Sequence, residues 1–381
     1  MPERQVGLAD TTLRSLSNLQ PQLLARVERL APLLEALDEA GFVSIDAWGD
    51  SGVAQILSGT GESPWERLCL LSAKIKRTPL QMTLRGECLT GLRPYPQWVI
   101  RDFTAHCCEC GVASFLVYDA LNNWGSLETV TAAVQECGAT LRLGLVCAGR
   151  GEGEVEGLLE LAKQLAELKP AAICVKSTSP VGPSTGEDLV RQLRAAVSLP
   201  LEIDLDNVAG GAAATALRCL LAGADVVYSS LDSGCLDMGA VPAAELVAGL
   251  RDCGLDVRPS GVAVERATET FWRLVSAASP TPRAAGAARI LALGRVAGVP
   301  GFVLRQVVDR LEEQQAGDRL PAVLDEVGRI QEELGFPALV PPLAQIVATQ
   351  AVINTLYGQR WRVVSDEMRA YLRGHYGRPQ R

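Results

Sequence analysis

Histidine is almost absent from this chain, which has only His106 and His375 among 381 residues. Zinc sites are built from three or four nitrogen or sulfur ligands, and histidine supplies many of them. The count therefore excludes a histidine-rich zinc site. Long apolar runs are absent too. No stretch approaches the roughly 20 residues that a membrane-spanning helix needs, so no membrane span is predicted.

A basic surface is also missing. The net charge is -8 and the pI is about 5.1, which predicts no binding to nucleic acid. The first residues carry charges but no apolar targeting core. The 11 cysteines are an odd number in a long chain without a secretion signal, which favours free thiols in a reducing cytoplasm. The cluster Cys107-Cys108-Glu109-Cys110 is interpreted as helix packing.

Short apolar runs typical of strands buried on both faces occur eight times, with amphipathic helical patterns between them. Eight β-α units over roughly 250 residues predict an α/β fold, a (β/α)8 TIM barrel. A doubly wound sheet is the rival, but the first run lacks a glycine-rich phosphate fingerprint. The runs cover 6–10, 42–48, 79–85, 113–120, 140–148, 171–177, 200–206 and 225–231.

The pattern changes near residue 252, where strand runs give way to long helical patterns. We therefore predict a barrel domain over 1–255 and an all-helical C-terminal domain over 256–381. The helical region is too apolar for a tail, so it is expected to pack on the barrel or on a partner.

Charged residues stand at the ends of several runs, where barrel enzymes carry their chemistry. Lys176 ends the sixth run, and a buried lysine is costly unless a carboxylate, a metal or a modification compensates it. A structural ring of ion pairs is the alternative, although so many buried charges would cost stability. The predicted rim residues are Asp10, Arg14, Asp46, Trp48, Arg85, Asp119, Lys176, Asp204 and Asp206.

Motifs around these ends resemble the carboxyltransferase domain of pyruvate carboxylase, which the oxaloacetate decarboxylase α subunit and the pyruvate-binding subunit of transcarboxylase share. The resemblance covers nearly the whole chain. It rests on Asp10-Thr11-Thr12-Leu13-Arg14, Trp48-Gly49, Pro64-Trp65-Glu66-Arg67-Leu68, Thr78-Pro79-Leu80-Gln81-Met82, Leu84-Arg85-Gly86, Asp119-Ala120-Leu121-Asn122, Ile173-Cys174-Val175-Lys176, Leu334-Gly335-Phe336-Pro337, Thr349-Gln350-Ala351-Val352 and Tyr376-Gly377-Arg378-Pro379.

This resemblance implies a divalent metal at the barrel mouth, held by Asp10, a carbamylated Lys176 and two histidines. It implies a small keto acid, pyruvate or oxaloacetate, on Arg14 and Arg85, with Asn18 at the position of a substrate-binding glutamine. It also implies carboxyl exchange with biotin, and a homodimer. The chain has neither a biotin-attachment Met-Lys-Met nor an ATP-grasp region, so a separate biotin carrier is expected.

The sequence departs from the family at the chemistry. The two histidine ligands fall on Asp204 and Asp206, and the proton-shuttling threonine falls on Val208. Further changes from the family pattern lie at Ser15, Asn18, Glu87, Cys88, Leu92 and Ser177.

Two interpretations of the metal site follow. Asp10, Lys176, Asp204 and Asp206 could hold a hard cation such as Mg or Mn rather than Zn. Alternatively, no metal binds, and the Lys176 ammonium neutralises the aspartates with help from Arg14. We favour the second, because Lys176 has less reason to be carbamylated without neutral ligands and pairs readily with carboxylates.

Two functional hypotheses remain. The first is a carboxyltransferase or decarboxylase-type lyase with altered chemistry, in which Lys176, Arg14 and Arg85 are catalytic. The second is a catalytically silent paralog that pairs with an active carboxyltransferase subunit or a biotin carrier as part of a hetero-oligomer. A Schiff base between Lys176 and a keto acid is a weaker third hypothesis, because such a lysine needs a lowered pKa and nearby aspartates raise it.

Overall fold

The computed structural model describes residues 4–19, 27–48, 53, 63–149, 152–207, 210–232, 240–278 and 299–377. Eight parallel strands close into a barrel, because the first strand pairs with both the second and the eighth. The predicted TIM barrel is thus confirmed. Its strands are β1 (Gln5–Asp10), β2 (Ile45–Asp46), β3 (Leu80–Leu84), β4 (Val112–Tyr118), β5 (Thr140–Val146), β6 (Ala172–Ser177), β7 (Leu201–Leu205) and β8 (Val226–Ser230).

Helices follow the strands and cover the outside of the barrel. Around the barrel they are α1 (Thr12–Leu19), α2 (Val27–Ala40), α3 (Pro64–Lys74), α4 (Gln97–Glu109), α5 (Glu128–Glu136), α6 (Glu152–Glu167), α7 (Pro183–Ala196), α8 (Ala212–Ala222), α9 (Ala243–Asp252) and α10 (Gly261–Ala278). In the C-terminal region they are α11 (Gly301–Glu313), α12 (Leu320–Glu333), α13 (Leu343–Leu356) and α14 (Asp366–Leu372).

Sequence chemistry explains where several of these helices begin and end. Ser63 accepts a hydrogen bond from the backbone N–H of Glu66 at the start of α3, and Pro64 occupies the first turn. Gly223 ends α8 with a φ of +126°, a conformation that glycine adopts without strain. None of the described helices is long and apolar enough to cross a membrane.

The described chain has two large hydrophobic cores and two small clusters. One lies between the barrel and its helices and includes α10 through Phe271 and Val275. The other joins α11 to α14 and reaches the barrel rim through Leu121. Two short strands were not predicted: β9 (Val241–Pro242) pairs with β8, and β10 (Asp256–Arg258) pairs with β1.

The predicted division after residue 255 stays a prediction. Since β10 extends the barrel sheet and α10 packs in the barrel core, the packing places residues up to Ala278 with the barrel. The predicted strands end before β10, because β10 has only three residues and none of them is buried. So short a run carries no recognisable hydrophobic alternation.

The expectation of free thiols holds for eight described cysteines but not for one pair. Cys69 of α3 and Cys110, directly after α4, form a disulfide with a Cα–Cα distance of 4.5 Å. Helix packing does describe Cys107, which is fully buried and directs its Sγ to the Met82 Sδ at 3.6 Å. Disulfide connectivity depends on which helices are neighbours in the fold, so the sequence pattern did not reveal it.

Candidate active site at the barrel mouth

Four charged side chains meet inside the barrel at the carboxyl ends of its strands. Arg14 donates to both oxygens of Asp204, from Nη1 at 3.2 Å and from Nη2 at 3.1 Å. Its Nη1 also donates to Asp46 Oδ2 at 3.1 Å. Lys176 Nζ lies 2.6 Å from Asp204 Oδ2. We call Arg14, Asp46, Lys176 and Asp204 the mouth cluster.

Strand register brings the cluster together. Lys176 of β6 and Asp204 of β7 are paired residues on neighbouring strands. Along each strand, side chains two residues apart share a face. Asp46 ends β2, and its Oδ2 accepts a hydrogen bond from Thr83 Oγ1 of β3 at 2.6 Å. Arg14 comes from the first turns of α1, just beyond β1. The fold therefore supplies each charge from a different β-α unit.

The mouth cluster is buried and its charges balance. The relative exposures of its members run from 0% for Asp46 to 8% for Arg14. Burial alone would raise the pKa of Asp204, but the Arg14 guanidinium and the Lys176 ammonium hold it well below its ordinary value. Two cations thus face two carboxylates. The Lys176 ammonium also lies 5.3 Å from the centroid of the Tyr118 ring, within range of a cation–π contact.

A second polar layer lies one step deeper in the barrel. Arg142 Nε pairs with Glu202 Oε1 at 2.9 Å, and Tyr228 donates its hydroxyl proton to Glu202 Oε2 at 2.9 Å. Gln81 Nε2 donates to the Tyr228 hydroxyl at 3.1 Å. This layer was not predicted from the sequence. The signal was present, because Glu202, like Asp204, alternates with apolar neighbours along β7.

Asp10 does not form a hydrogen bond with the mouth cluster. Its Oδ1 accepts from the Thr12 backbone N–H at 3.1 Å, and its Oδ2 accepts from the Thr12 hydroxyl at 2.7 Å. Burial raises its pKa to about 7, against the lowering effect of these hydrogen bonds. A carboxyl that already caps the turn into α1 is poorly placed to serve as a metal ligand.

The structure describes the other predicted site residues to different extents. Asp206 follows β7, is partly exposed, and forms an antiparallel bridge with Ala240. Val208 lies outside the described residues. The backbone of Asn18 belongs to α1, and its side chain also lies outside the described part.

Arg85 lines a cavity between the barrel rim and the helical region. Its Nη1 donates to the Gly91 carbonyl at 2.9 Å and faces the Gln345 amide oxygen at 3.4 Å. The cavity has a volume of about 160 Å³ and both polar and apolar walls. Its lining includes Arg85, Glu87, Cys88, Asp119, Asn123, Leu343, Ile346, Tyr371, His375 and Tyr376.

Two acidic side chains lie on the wall of this cavity. Asp119 accepts hydrogen bonds from the N–H groups of Leu121 and Asn123 and from the Ser126 hydroxyl, yet burial keeps its pKa raised. Burial and the neighbouring Asp119 also raise the pKa of Glu87. The cavity thus combines one guanidinium with two carboxyls, a setting for a ligand that both accepts and donates hydrogen bonds.

The residues at the mouth do not fit a metal ion. Both oxygens of Asp204 accept hydrogen bonds from cations, and both oxygens of Asp10 accept from Thr12. Across the described part of the chain, no three His, Cys, Asp or Glu side chains converge as metal ligands would. A metal would have to displace Arg14 and Lys176 from Asp204.

Fold and site together define an α/β-barrel protein with a buried charged mouth and a helical C-terminal region on its rim. Comparison with known proteins narrows this class. Residues 296–381 match the family described as conserved carboxylase domain. A pyruvate carboxylase subunit of Methanocaldococcus jannaschii is 33% identical over 379 residues, which covers 98% of this chain but only 66% of that protein.

Another relative and a solved structure support the same assignment. The methylmalonyl-CoA carboxyltransferase 5S subunit of Propionibacterium freudenreichii is 27% identical, over 98% of this chain and 74% of that subunit. The carboxyl transferase domain of Rhizobium etli pyruvate carboxylase, solved with pyruvate, superposes with a TM-score of 0.86 at 22% identity, over 99% of this chain and 66% of that one. The chain therefore belongs to the family of carboxyltransferase domains found in pyruvate carboxylase and transcarboxylase.

Proposed function

We propose that this chain is a divergent carboxyltransferase-type subunit that binds a small 2-oxo acid at the barrel mouth and acts without a metal ion. The observation that carries the proposal is the buried contact of Lys176 with Asp204 at 2.6 Å, because it fixes the position of an ammonium group at the reacting end of the barrel. The Rhizobium etli domain with the same fold was solved with pyruvate, which supports a 2-oxo acid here.

Positive charge is what the chemistry requires. Removing carboxylate from a 2-oxo acid, or adding it, passes through an enolate whose oxygen needs stabilisation. A preorganised ammonium supplies that stabilisation without rearrangement. In this chain Asp204 accepts one hydrogen bond from Lys176 and two from Arg14. Arg14 and Asp204 are then positioning residues, and Lys176 is the catalytic group.

Arg85 is the proposed carboxylate-binding residue. Its Nη1 donates to the Gly91 carbonyl and faces the Gln345 amide oxygen, and the side chain lines the cavity at the rim. A guanidinium forms two parallel hydrogen bonds with a carboxylate, so it can fix the orientation of the acid.

A biotin carried on a separate protein is the proposed exchange partner. The Rhizobium etli domain was also solved with pyruvate and biocytin. The cavity beside Arg85 offers apolar walls at Leu343 and Ile346 and polar groups at Glu87 and Asp119. Such a lining suits a ring that carries both apolar edges and N–H groups. A homodimer or a hetero-oligomer with a related subunit remains the expected assembly.

A catalytically silent subunit is the second candidate, and one observation favours it. The two cations and two carboxylates of the mouth cluster neutralise each other, so the cluster leaves no net charge for a substrate anion. The Schiff-base hypothesis finds less support. A carboxylate 2.6 Å from the Lys176 ammonium stabilises the protonated form, whereas imine formation needs the free amine.

The test combines pyruvate binding by calorimetry with the decarboxylation of oxaloacetate, each with a chelator and with added Mg²⁺, Mn²⁺ or Zn²⁺. The proposal expects binding and turnover that a chelator does not change, and loss of turnover in Lys176→Met. Lys163→Met is the control, because that lysine is exposed on α6. Binding without turnover selects the silent subunit. Turnover that requires an added metal, or absence of pyruvate binding, overturns the proposal.

A further inference from the structure

Two carboxyl groups line the cavity at the barrel rim, and the fold holds them differently. Asp119 accepts hydrogen bonds at 2.9 Å from the N–H groups of Leu121 and Asn123. The Ser126 hydroxyl donates a third, at 2.7 Å. The Glu87 carboxyl, in contrast, forms neither a hydrogen bond nor an ion pair with any residue that the structure describes. Asp119 therefore stabilises its own loop, whereas the Glu87 carboxyl is left to a ligand in the cavity.

A tight turn after β3 places Glu87 beside Arg85. Glu87 is the middle residue of a 3₁₀ turn over residues 86–88, which begins directly after Arg85. The Tyr95 N–H donates to the Glu87 carbonyl at 2.9 Å and holds this backbone in place. Gly86 has a φ of +47°, and an added Cβ would lie 2.9 Å from the Ser126 Oγ, so the turn packs closely against the next loop. Arg85 and Glu87 therefore line one cavity together.

This cavity adjoins the mouth cluster through Tyr118, the last residue of β4. The centroid of the Tyr118 ring lies 5.3 Å from the Lys176 ammonium, and the Tyr118 hydroxyl donates to the Pro341 carbonyl at 3.1 Å. The residues that follow Tyr118 and Pro341 in the chain, Asp119 and Pro342, both line the cavity. The cavity wall and the mouth cluster thus have Tyr118 as a common neighbour.

Carboxyl transfer to or from a 2-oxo acid also moves a proton at carbon, and the mouth cluster is a poor source of a base for it. An enolate forms when a base removes a proton from the carbon next to the carbonyl. Asp204 accepts three hydrogen bonds from Arg14 and Lys176. Burial would raise the pKa of Asp204, but these cations hold it well below its ordinary value, so its carboxylate binds a proton weakly. Asp46 Oδ2 likewise accepts hydrogen bonds from Arg14 and Thr83.

We propose that Glu87 is the catalytic base that takes this proton, an assignment that rests on the proposed binding of a 2-oxo acid. The proton leaves the carbon next to the carbonyl and bonds to a carboxylate oxygen of Glu87. The electron pair of the broken C–H bond forms the C=C bond of the enolate, and the π pair of the carbonyl moves to its oxygen. In the reverse direction Glu87 returns the proton to that carbon. Apart from the 2-oxo acid, this step consumes no reactant.

The surroundings of Glu87 strengthen it as a base. Burial and the neighbouring Asp119 raise the pKa of Glu87 above its ordinary value. A carboxylate with a raised pKa binds a proton more tightly, so it takes a proton from carbon more readily. Burial also raises the pKa values of Cys88 and Tyr376 to about 12, so neither side chain is ionised near neutral pH. The other ionisable side chains on the cavity wall are those of Arg85 and His375.

The experiment follows the exchange of the methyl protons of pyruvate with D₂O by NMR, using the full chain and a chelator. The wild-type rate should exceed the rate in buffer and rise with pH as Glu87 loses its proton. Glu87→Gln should lower this rate about 100-fold or more and remove the rise with pH. Calorimetry should show that pyruvate binding is not weakened, because the amide removes a negative charge from the cavity.

Two further variants separate proton transfer from a structural effect. Glu87→Asp retains a carboxyl group and should exchange pyruvate protons faster than Glu87→Gln. Glu265→Gln is the control, because Glu265 is exposed on α10, and it should keep the wild-type rate.

Exchange at the wild-type rate in Glu87→Gln overturns this assignment and leaves the proposed function standing. The same conclusion follows if Glu87→Asp exchanges no faster than Glu87→Gln, or if the wild-type chain binds pyruvate without exchange. Loss of both exchange and pyruvate binding in Glu87→Gln would assign Glu87 to binding rather than to proton transfer, which also overturns it. Absence of pyruvate binding in the wild-type chain overturns the proposed function, and the assignment of Glu87 falls with it.

Discussion

The mouth cluster makes Asp204 the residue whose charge matters most to folding. Its carboxylate accepts three hydrogen bonds from two buried cations, Arg14 and Lys176. Asp204→Asn keeps the size of the side chain and removes the negative charge. Arg14 then retains Asp46, but Lys176 loses the carboxylate that lies 2.6 Å away. The perturbation therefore removes the carboxylate from its contact with a buried ammonium.

The expected loss of folding stability follows from the removal of this ion pair. Removing one partner of a buried ion pair costs about 3–5 kcal/mol, because the remaining charge stays desolvated without compensation. For a chain of this size, that corresponds to a Tm lower by roughly 4–6 °C. Lys176→Met should cost less, about 1–3 kcal/mol, because Asp204 keeps both hydrogen bonds from Arg14.

The double variant with both substitutions provides the decisive comparison. Lys176→Met removes the ammonium that loses its carboxylate in Asp204→Asn. The double variant should therefore lose about 1–3 kcal/mol less stability than the sum of the two single losses. Urea unfolding followed by fluorescence and circular dichroism measures each free energy. Asp252→Asn, an exposed residue in the last turn of α9, is the control. Additive costs, or a cost for Asp204→Asn within about 1 kcal/mol of the control, would refute the reasoning.

Three further predictions concern other parts of the chain. Burial would raise the pKa of Asp38, but hydrogen bonds from the backbone N–H groups of residues 76–78 hold that pKa below its ordinary value. The Asp38 carboxylate therefore stabilises the fold above its unfolded-state pKa, and this stabilisation is lost as the pH falls through its folded-state pKa. Asp38→Asn should cost about 1–3 kcal/mol at pH 7 and progressively less below about pH 4, by urea unfolding. Glu202→Gln should cost about 3 kcal/mol in the same assay, because it leaves a buried guanidinium in the barrel without its carboxylate. Gly377→Ala should lose about 1–3 kcal/mol of folding stability and increase hydrogen exchange near the cavity. Gly374→Ala has a similar positive φ but open space around the added Cβ, so it should lose less stability.

The sequence predicted the barrel well because parallel strands are buried on both faces. Every residue of β3, β6 and β7 is buried, so each reads as an unbroken run in which charges are conspicuous. The predicted strand over 42–48 shrank to Ile45–Asp46, although Val43 still donates its N–H to the Leu8 carbonyl. Strand ends depend on where the neighbouring strand stops pairing, which no local pattern records.

The site was predictable where strand register determines it, and not where local turns do. Lys176 and Asp204 meet because their strands are neighbours and both residues point inward. Asp10 was expected among the metal ligands, but the Thr12 hydroxyl two residues later holds its carboxyl. Arg85 was predicted, with Arg14, to hold the keto acid, and it lines the cavity at the helical region. Side-chain hydrogen bonds over short sequence distances compete with long-range contacts, and only the folded geometry decides between them.

Charge balance limits which residues this barrel mouth accepts. A neutral ligand at position 204 would leave Arg14 and Lys176 with only Asp46 as a carboxylate partner in the cluster. A metal ion would add further positive charge to a buried region that already holds two cations, and the Coulomb repulsion would be strong at low effective dielectric. A metal could therefore enter only if Lys176 lost its charge, for instance by carbamylation. The carbamylation of Lys176 and the occupancy of the metal site are thus a single question, and native mass measurement of the intact chain addresses both.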